Sequence, residues 1–119
     1  MPAAMSLTIS TRRHEDVTIF DVHGRAALGP DTDALSNALQ EWIAKGTRKL
    51  LLNMAGVTQM DTSGISTLVR GFVSMQRNGG RLALTALPDR IRMLLEMTRL
   101  LNVIPNYPNE AEALARLRS

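Results

Sequence analysis

Asp61, Thr62, Ser63 and Gly64 stand consecutively in this 119-residue chain and set two hydroxyls beside a carboxylate. An apolar run, Leu50-Leu51-Leu52 and Met54, precedes them, and Ile65, Leu68, Val69, Phe72 and Val73 follow at helical spacing. The tetrad therefore falls where a strand hands over to a helix. A helix N-terminus carries unpaired N–H groups and a partial positive charge, so a hydroxyl there can gain a phosphate without unfolding the helix. Such a change alters what the surface binds and leaves the fold intact. The plainer reading is a helix cap: Asp, Thr and Ser all cap, each worth about 0.5–2 kcal/mol against Ala, and Gly64 eases the turn.

Other chemistry is sparse. His14 and His23 are the two histidines, and neither has a Cys, Asp or second His at metal-ligand spacing, so no metal site is expected. With no cysteine, thiolate zinc sites, disulfides and cysteine nucleophiles are excluded. Gly64-Ile65-Ser66-Thr67-Leu68 lacks the second glycine of a nucleophile elbow. Gly79-Gly80 has neither a Walker lysine nor a dinucleotide fingerprint. Asp61-Thr62 and a nearby glycine suggest an aspartic protease, but Ser63 intervenes and a helical period follows at once. A hydrolase using Asp61 or Ser63 is thus the least supported class, and no catalytic residue or cofactor is assigned.

The elements that hold the tetrad follow from the pattern. Leu7, Ile9 and Thr11 alternate with polar residues as in a half-buried strand, and Glu15-Asp16 turns into a second strand, Val17 to His23, forming an antiparallel hairpin. Gly24 to Gly29 is expected as a loop. Pro30 suits the first position of a helix, Asp31 and Asp33 suit its positive start, and Leu35, Ala38, Leu39, Trp42 and Ile43 form its apolar stripe before Gly46. Lys49 to Met54 reads as a central strand and Ser63 to Arg77 as the second helix. A strand over Arg81 to Ala86 follows, then a helix from Pro88-Asp89 with Ile91, Leu94, Leu95 and Thr98 inward. Val103-Ile104 is expected as a short edge strand, since Pro105 and Pro108 would interrupt a central ladder. Asn109 and Glu112 fit a capping box opening a last helix, with Ala111, Leu114 and Leu117 inward.

The result is one α/β domain over residues 7–119, a mixed sheet of four to five strands packed with about four helices, behind a flexible tail at 1–6. Met1 to Ser6 lack the features of a secretory signal, and no apolar run approaches the ~18 residues that suggest a membrane span. Without cysteines the chain fits a reducing compartment, and a cytoplasmic location is expected. The net charge of +3 comes from dispersed Arg and Lys, never five in a run, and only four aromatics are present, so a nucleic-acid groove is not expected. Among seven methionines, Met54, Met60, Met93 and Met97 read as adaptable core fillers.

An apolar strand, then Gly56-Val57-Thr58-Gln59-Met60, Asp61-Thr62-Ser63-Gly64-Ile65 and an apolar helix, resembles the signature of the STAS family, named for sulfate transporters and anti-sigma factor antagonists. The likeness runs from about Leu7 to Leu117 and includes Gly24, Gly79-Gly80 and the Leu94 to Leu101 segment. In the antagonist branch the residue after the motif Asp accepts phosphate. The resemblance therefore implies Thr62 as phosphoacceptor, with Ser63 as the alternative, and Asp61, Thr62, Ser63, Gly64, Gly24 and Arg25 as partner-binding. Thr62 stands where many members have Ser, and Arg25 where many carry an acidic residue. The implied partners are an anti-sigma factor kinase related to histidine-kinase ATPases, which the protein binds to free a sigma factor, and a phosphatase that resets it. An accessory role on the ATPase of a lipid-transporting ABC system is the alternative on the same fold.

Overall fold

The computed structural model describes residues 7–26 and 30–118, with Pro30 and Asp31 described by backbone alone. The expectations for Met1–Ser6, for Ala27, Leu28 and Gly29, and for the Asp31 side chain lie outside the described residues. Nine elements follow in order: β1 (Thr8–His14), β2 (Val17–Ala26), α1 (Pro30–Ala44), β3 (Lys49–Met60), α2 (Thr62–Arg77), β4 (Arg81–Thr85), α3 (Asp89–Met97), β5 (Asn106–Tyr107) and α4 (Glu110–Arg118). The strands lie side by side in sequence order, β1 antiparallel to β2 and every later pair parallel. Crossovers of one hand between successive parallel neighbours put their helices on one face of the sheet.

That face holds the main core. Phe20, Val22, Leu50, Leu52, Leu82 and Leu84 meet Leu35, Leu39 and Ile43 of α1, Ile65, Leu68 and Met75 of α2, and Ile91 and Leu95 of α3. Among the described residues the opposite face is covered by α4, whose Ala113, Leu114 and Leu117 pack on Val17, Ile19, Leu51 and Ala83. Ala111, expected inward, is exposed, and Ala113, two residues on, is buried instead. The start of α4 is capped as expected on one side, with Glu112 N–H donating to Asn109 Oδ1 at 2.9 Å. Helix α1 ends on a Schellman arrangement: Gly46, at φ +96°, donates to Ile43 O and Thr47 to Trp42 O.

Both central strands run further than the sequence pattern suggests. β3 continues from Met54 to Met60, because two register shifts against β2 add one residue each, between the Asp21 and His23 pairings and between those of Gly24 and Arg25. Met54, Val57 and Met60 then face the same core at a spacing of three, which hides the two-residue period of a strand. β2 likewise runs through Gly24 and Arg25 to Ala26, where the first three residues of a loop were expected; Gly24 sits at φ +103° beside the second shift. β4 stops at Thr85 because Ala86 turns to φ +56°. The last strand forms at Asn106–Tyr107 instead of Val103–Ile104: Leu84 N–H takes Pro105 O as acceptor, and the Asn106 amide donates to Leu101 O and Ile104 O, fixing the turn before it. No helix among the described residues is long and apolar enough to cross a membrane.

Candidate functional site

The end of β3, the end of β2 and the start of α2 converge at one edge of the sheet. Ala26 pairs with Met60, and the next residue, Asp61, donates its N–H to Ala26 O at 3.4 Å. Asp61 is the N-cap of α2: its Oδ1 accepts from Ser63 N (3.0 Å) and Gly64 N (3.2 Å), two of the amides a helix start leaves open. The same oxygen accepts a hydrogen bond from Ser63 Oγ at 2.6 Å, and Thr67 Oγ1 returns one to Ser63 O at 3.0 Å. Ser63 is half-buried and tied at both ends.

Thr62, the first helical residue, differs. It is exposed, and its hydroxyl makes no hydrogen bond among the described residues. The two hydroxyls are thus unequal in availability. One sequence-level expectation needs correction here: a charge added at Thr62 meets the helix dipole, but not the Ser63 and Gly64 amides, because Asp61 already holds them. Gly64 is buried in α2 where the helix touches the end of β2, and its role is close approach as well as easing the turn.

Gly24 and Arg25 lie on the neighbouring strand, so the structure brings all six expected contact residues to one end of the sheet. Arg25 pairs with Gln59 on the sheet face away from Ala26 and Met60. Arg25 is half-buried, and its Nε is enclosed with no hydrogen-bond partner among the described residues. An unmatched buried donor of this kind is costly. His23, two residues back along β2, is exposed and lies over Gly56, whose lack of a side chain makes room for the ring. Among the described residues no group of three or more His, Cys, Asp or Glu is placed to hold a metal ion.

The sequence profile of the STAS domain matches residues 8–113 of the chain. The chain belongs to the STAS domain family. This STAS chain is 25% identical over 114 residues to an anti-sigma F factor antagonist of Paenibacillus polymyxa, covering 95% of this chain and 97% of that one. Its fold matches the crystal structure of an anti-sigma factor antagonist from Mycobacterium paratuberculosis with a TM-score of 0.84, at 23% identity and 96% coverage of both chains. It also matches the phosphorylated form of the Bacillus cell fate determinant SpoIIAA, with a TM-score of 0.72 at 16% identity, over 93% of this chain and 100% of that one. At such identities the structural likeness speaks for the fold.

Two features of this STAS domain escaped the sequence pattern. Met54 and Met60 are core residues as expected, but Met93 and Met97 of α3 are 60% and 75% exposed. Each follows a buried residue, Ile91 or Leu95, by two positions and lies off the buried stripe, so the signal was the helical stripe itself. Thr98, expected inward, is exposed at the C-cap and donates to Leu94 O at 2.9 Å. The second feature is a bridge from Arg12 of β1 to Asp21 of β2 and Glu110 of α4, in which one guanidinium meets both carboxylates. Its members are 98 residues apart at the extreme, and no local pattern joins them.

Proposed function

We propose that this STAS domain is an anti-sigma factor antagonist, one that binds an anti-sigma factor kinase through the edge formed by β2, β3 and the start of α2. Phosphorylation of Thr62 by that kinase ends the interaction, and a phosphatase restores it. The observation that carries the reading is the inequality of the two hydroxyls: Thr62 is exposed and makes no hydrogen bond among the described residues, whereas Ser63 donates to Asp61 at 2.6 Å. The family membership and the Paenibacillus relative support the same reading.

The energetics are sufficient for a switch. A phosphate adds about −1.5 to −2 charges, tolerable at an exposed helix start but costly inside an interface, where its hydration is lost. A penalty of about 4 kcal/mol weakens binding roughly a thousandfold. Arg25 is half-buried beside the motif, and its guanidinium is suited to a carboxylate on the facing surface. The chain itself is a substrate and a binding surface and performs no catalysis, because the kinase supplies ATP, metal and base.

The test is phosphate transfer from ATP by the cognate kinase, with the modified residue mapped by mass spectrometry. Phosphate on Thr62, abolished in Thr62→Ala and retained in Ser63→Ala, is expected. Phosphate on Ser63 with Thr62 unmodified overturns the assignment.

A further inference from the structure

At the other end of β3, roughly 35 Å from the motif at ~3.3 Å per residue, a cleft of about 410 Å³ opens where β2 and β3 begin and α1 ends. Arg13, Lys45, Arg48 and Lys49 line it, with Asp16 as the one carboxylate. The lining carries as much excess positive charge as the entire chain. We infer that this cleft binds an anionic phosphate ligand, through Arg13 and Arg48 first of all.

The reason lies in how the four cations are matched. Lys49 is held by Asp16 at 2.9 Å, and Lys45 by Glu41 at 3.2 Å. Arg13 and Arg48 have no carboxylate partner among the described residues: Arg13 Nε donates to Glu15 O and Arg48 Nη1 to Thr47 O, each at 3.2 Å. Two guanidinium groups satisfied only by single carbonyl oxygens keep most of their planar fork of donors for a phosphate, two of whose oxygens Arg can meet bidentately. The end of α1 would ordinarily oppose an anion with its bare carbonyls. Here the Trp42 and Ile43 carbonyls already accept bonds from Thr47 and Gly46, which lowers that opposition.

The recognised group is the phosphate and not an attached base. Lys45 Nζ sits 4.7 Å over the Trp42 ring, and Phe20 packs against the same ring edge-on, so the indole is not a free stacking surface. The cleft's volume is that of a small-ligand site, enough for a polyphosphate or for the headgroup of an anionic lipid.

Trp42 is the sole tryptophan, so its emission reports on the cleft directly. The full chain is titrated with sodium tripolyphosphate against sodium chloride at equal ionic strength. In parallel it is sedimented with phosphatidylglycerol or phosphatidylcholine vesicles. A saturable emission change with tripolyphosphate, at least tenfold weaker in Arg13→Gln/Arg48→Gln and unchanged in Arg90→Gln on α3, is expected for a soluble phosphate ligand. Sedimentation with phosphatidylglycerol vesicles alone, lost in the same double variant, identifies a lipid headgroup as the source. Thermal melts establish that each variant is folded, and the single variant Arg48→Gln, expected to show an intermediate loss, serves if the double variant is not. Equal binding by wild type and the folded Arg48→Gln or double variant, or no response beyond the chloride control in either arm, overturns the proposal.

Discussion

A methyl group on Gly64 would lie 2.5 Å from the carbonyl oxygen of Ala26. It would also lie 2.8 Å from Met60 Cγ, so the start of α2 rests directly on the ends of β2 and β3 with no room for a side chain. Alanine gains about 1 kcal/mol of helix propensity over glycine, while forcing an extra carbon into a packed contact costs about 1–3 kcal/mol. The carbonyl is backbone and cannot swing away, so the steric term wins. Gly64→Ala is expected to lose about 1–2 kcal/mol in a urea melt and to weaken partner binding by shifting the helix start. A variant as stable as wild type would show that α2 can lift off the strand ends freely.

The hydroxyl inequality makes a second prediction that needs no partner. Thr62→Ala removes a group with no hydrogen bond among the described residues, so stability should change by less than about 0.5 kcal/mol. Ser63→Ala breaks the 2.6 Å bond to Asp61 and should cost about 0.5–1.5 kcal/mol. Asp61→Ala loses the cap on two amides and should cost about 0.5–2 kcal/mol. Thr62→Glu should stay within about 1 kcal/mol of wild type, since the dipole favours the charge and the Asp61 carboxylate opposes it. Chemical denaturation of the four variants checks the order. Several kcal/mol lost in Thr62→Glu would make Thr62 a structural residue and remove the basis for a switch there.

The attachment of α4 should depend on pH. Hydrogen bonding from Arg12 holds both the Asp21 and the Glu110 carboxyls below their ordinary values of 3.8 and 4.5. A carboxyl depressed in the folded state contributes stability above its unfolded pKa and loses it as pH falls through the lower folded value. The bridge is partly exposed, with Arg12 at 45% and Glu110 at 34%, so solvent screening limits the contribution to about 0.2–1 kcal/mol. Glu110→Gln should therefore melt below wild type at pH 7, and the gap should close as the pH falls from 4.5 through the lower folded values. A gap of constant size across that range would assign the effect to packing of α4 instead of charge.

The strand-to-helix junction that carries the candidate site was legible because its signal is local. Asp61 to Gly64 join an apolar run to a helical period, and the helix begins at Thr62 as that handover requires. What stayed hidden depends on contacts the chain makes later. The second half of β3 was obscured by two bulges that convert its core spacing from two to three at Met54, Val57 and Met60. Which hydroxyl is available turns on Ser63 Oγ pointing to Asp61, a rotamer choice no sequence pattern encodes. The placement of β5 at Asn106–Tyr107 follows from Pro105 supplying its carbonyl to Leu84, where the sequence signalled only a ladder interruption.

His23 and Gly56 supply the last prediction. They are paired neighbours on β2 and β3, and a methyl at Gly56 would sit 2.2 Å from His23 Cδ2 and 2.8 Å from its Cγ. The clash involves the near part of the ring, so a small rotation cannot relieve it, yet the side chain is exposed and can be removed without opening a cavity. Gly56→Ala should thus destabilise wild type by about 1–3 kcal/mol. His23→Ala should cost little alone and should recover most of that loss in the double variant. A coupling of about 0.5–3 kcal/mol between the two positions is expected from a double-mutant cycle of urea melts. The bulge between Asp21 and His23 carries β3 on toward Asp61, so the same cycle should appear in partner binding if that register sets the site. Strict additivity in stability would mean that Gly56 is required for its backbone and not for the space it leaves to His23.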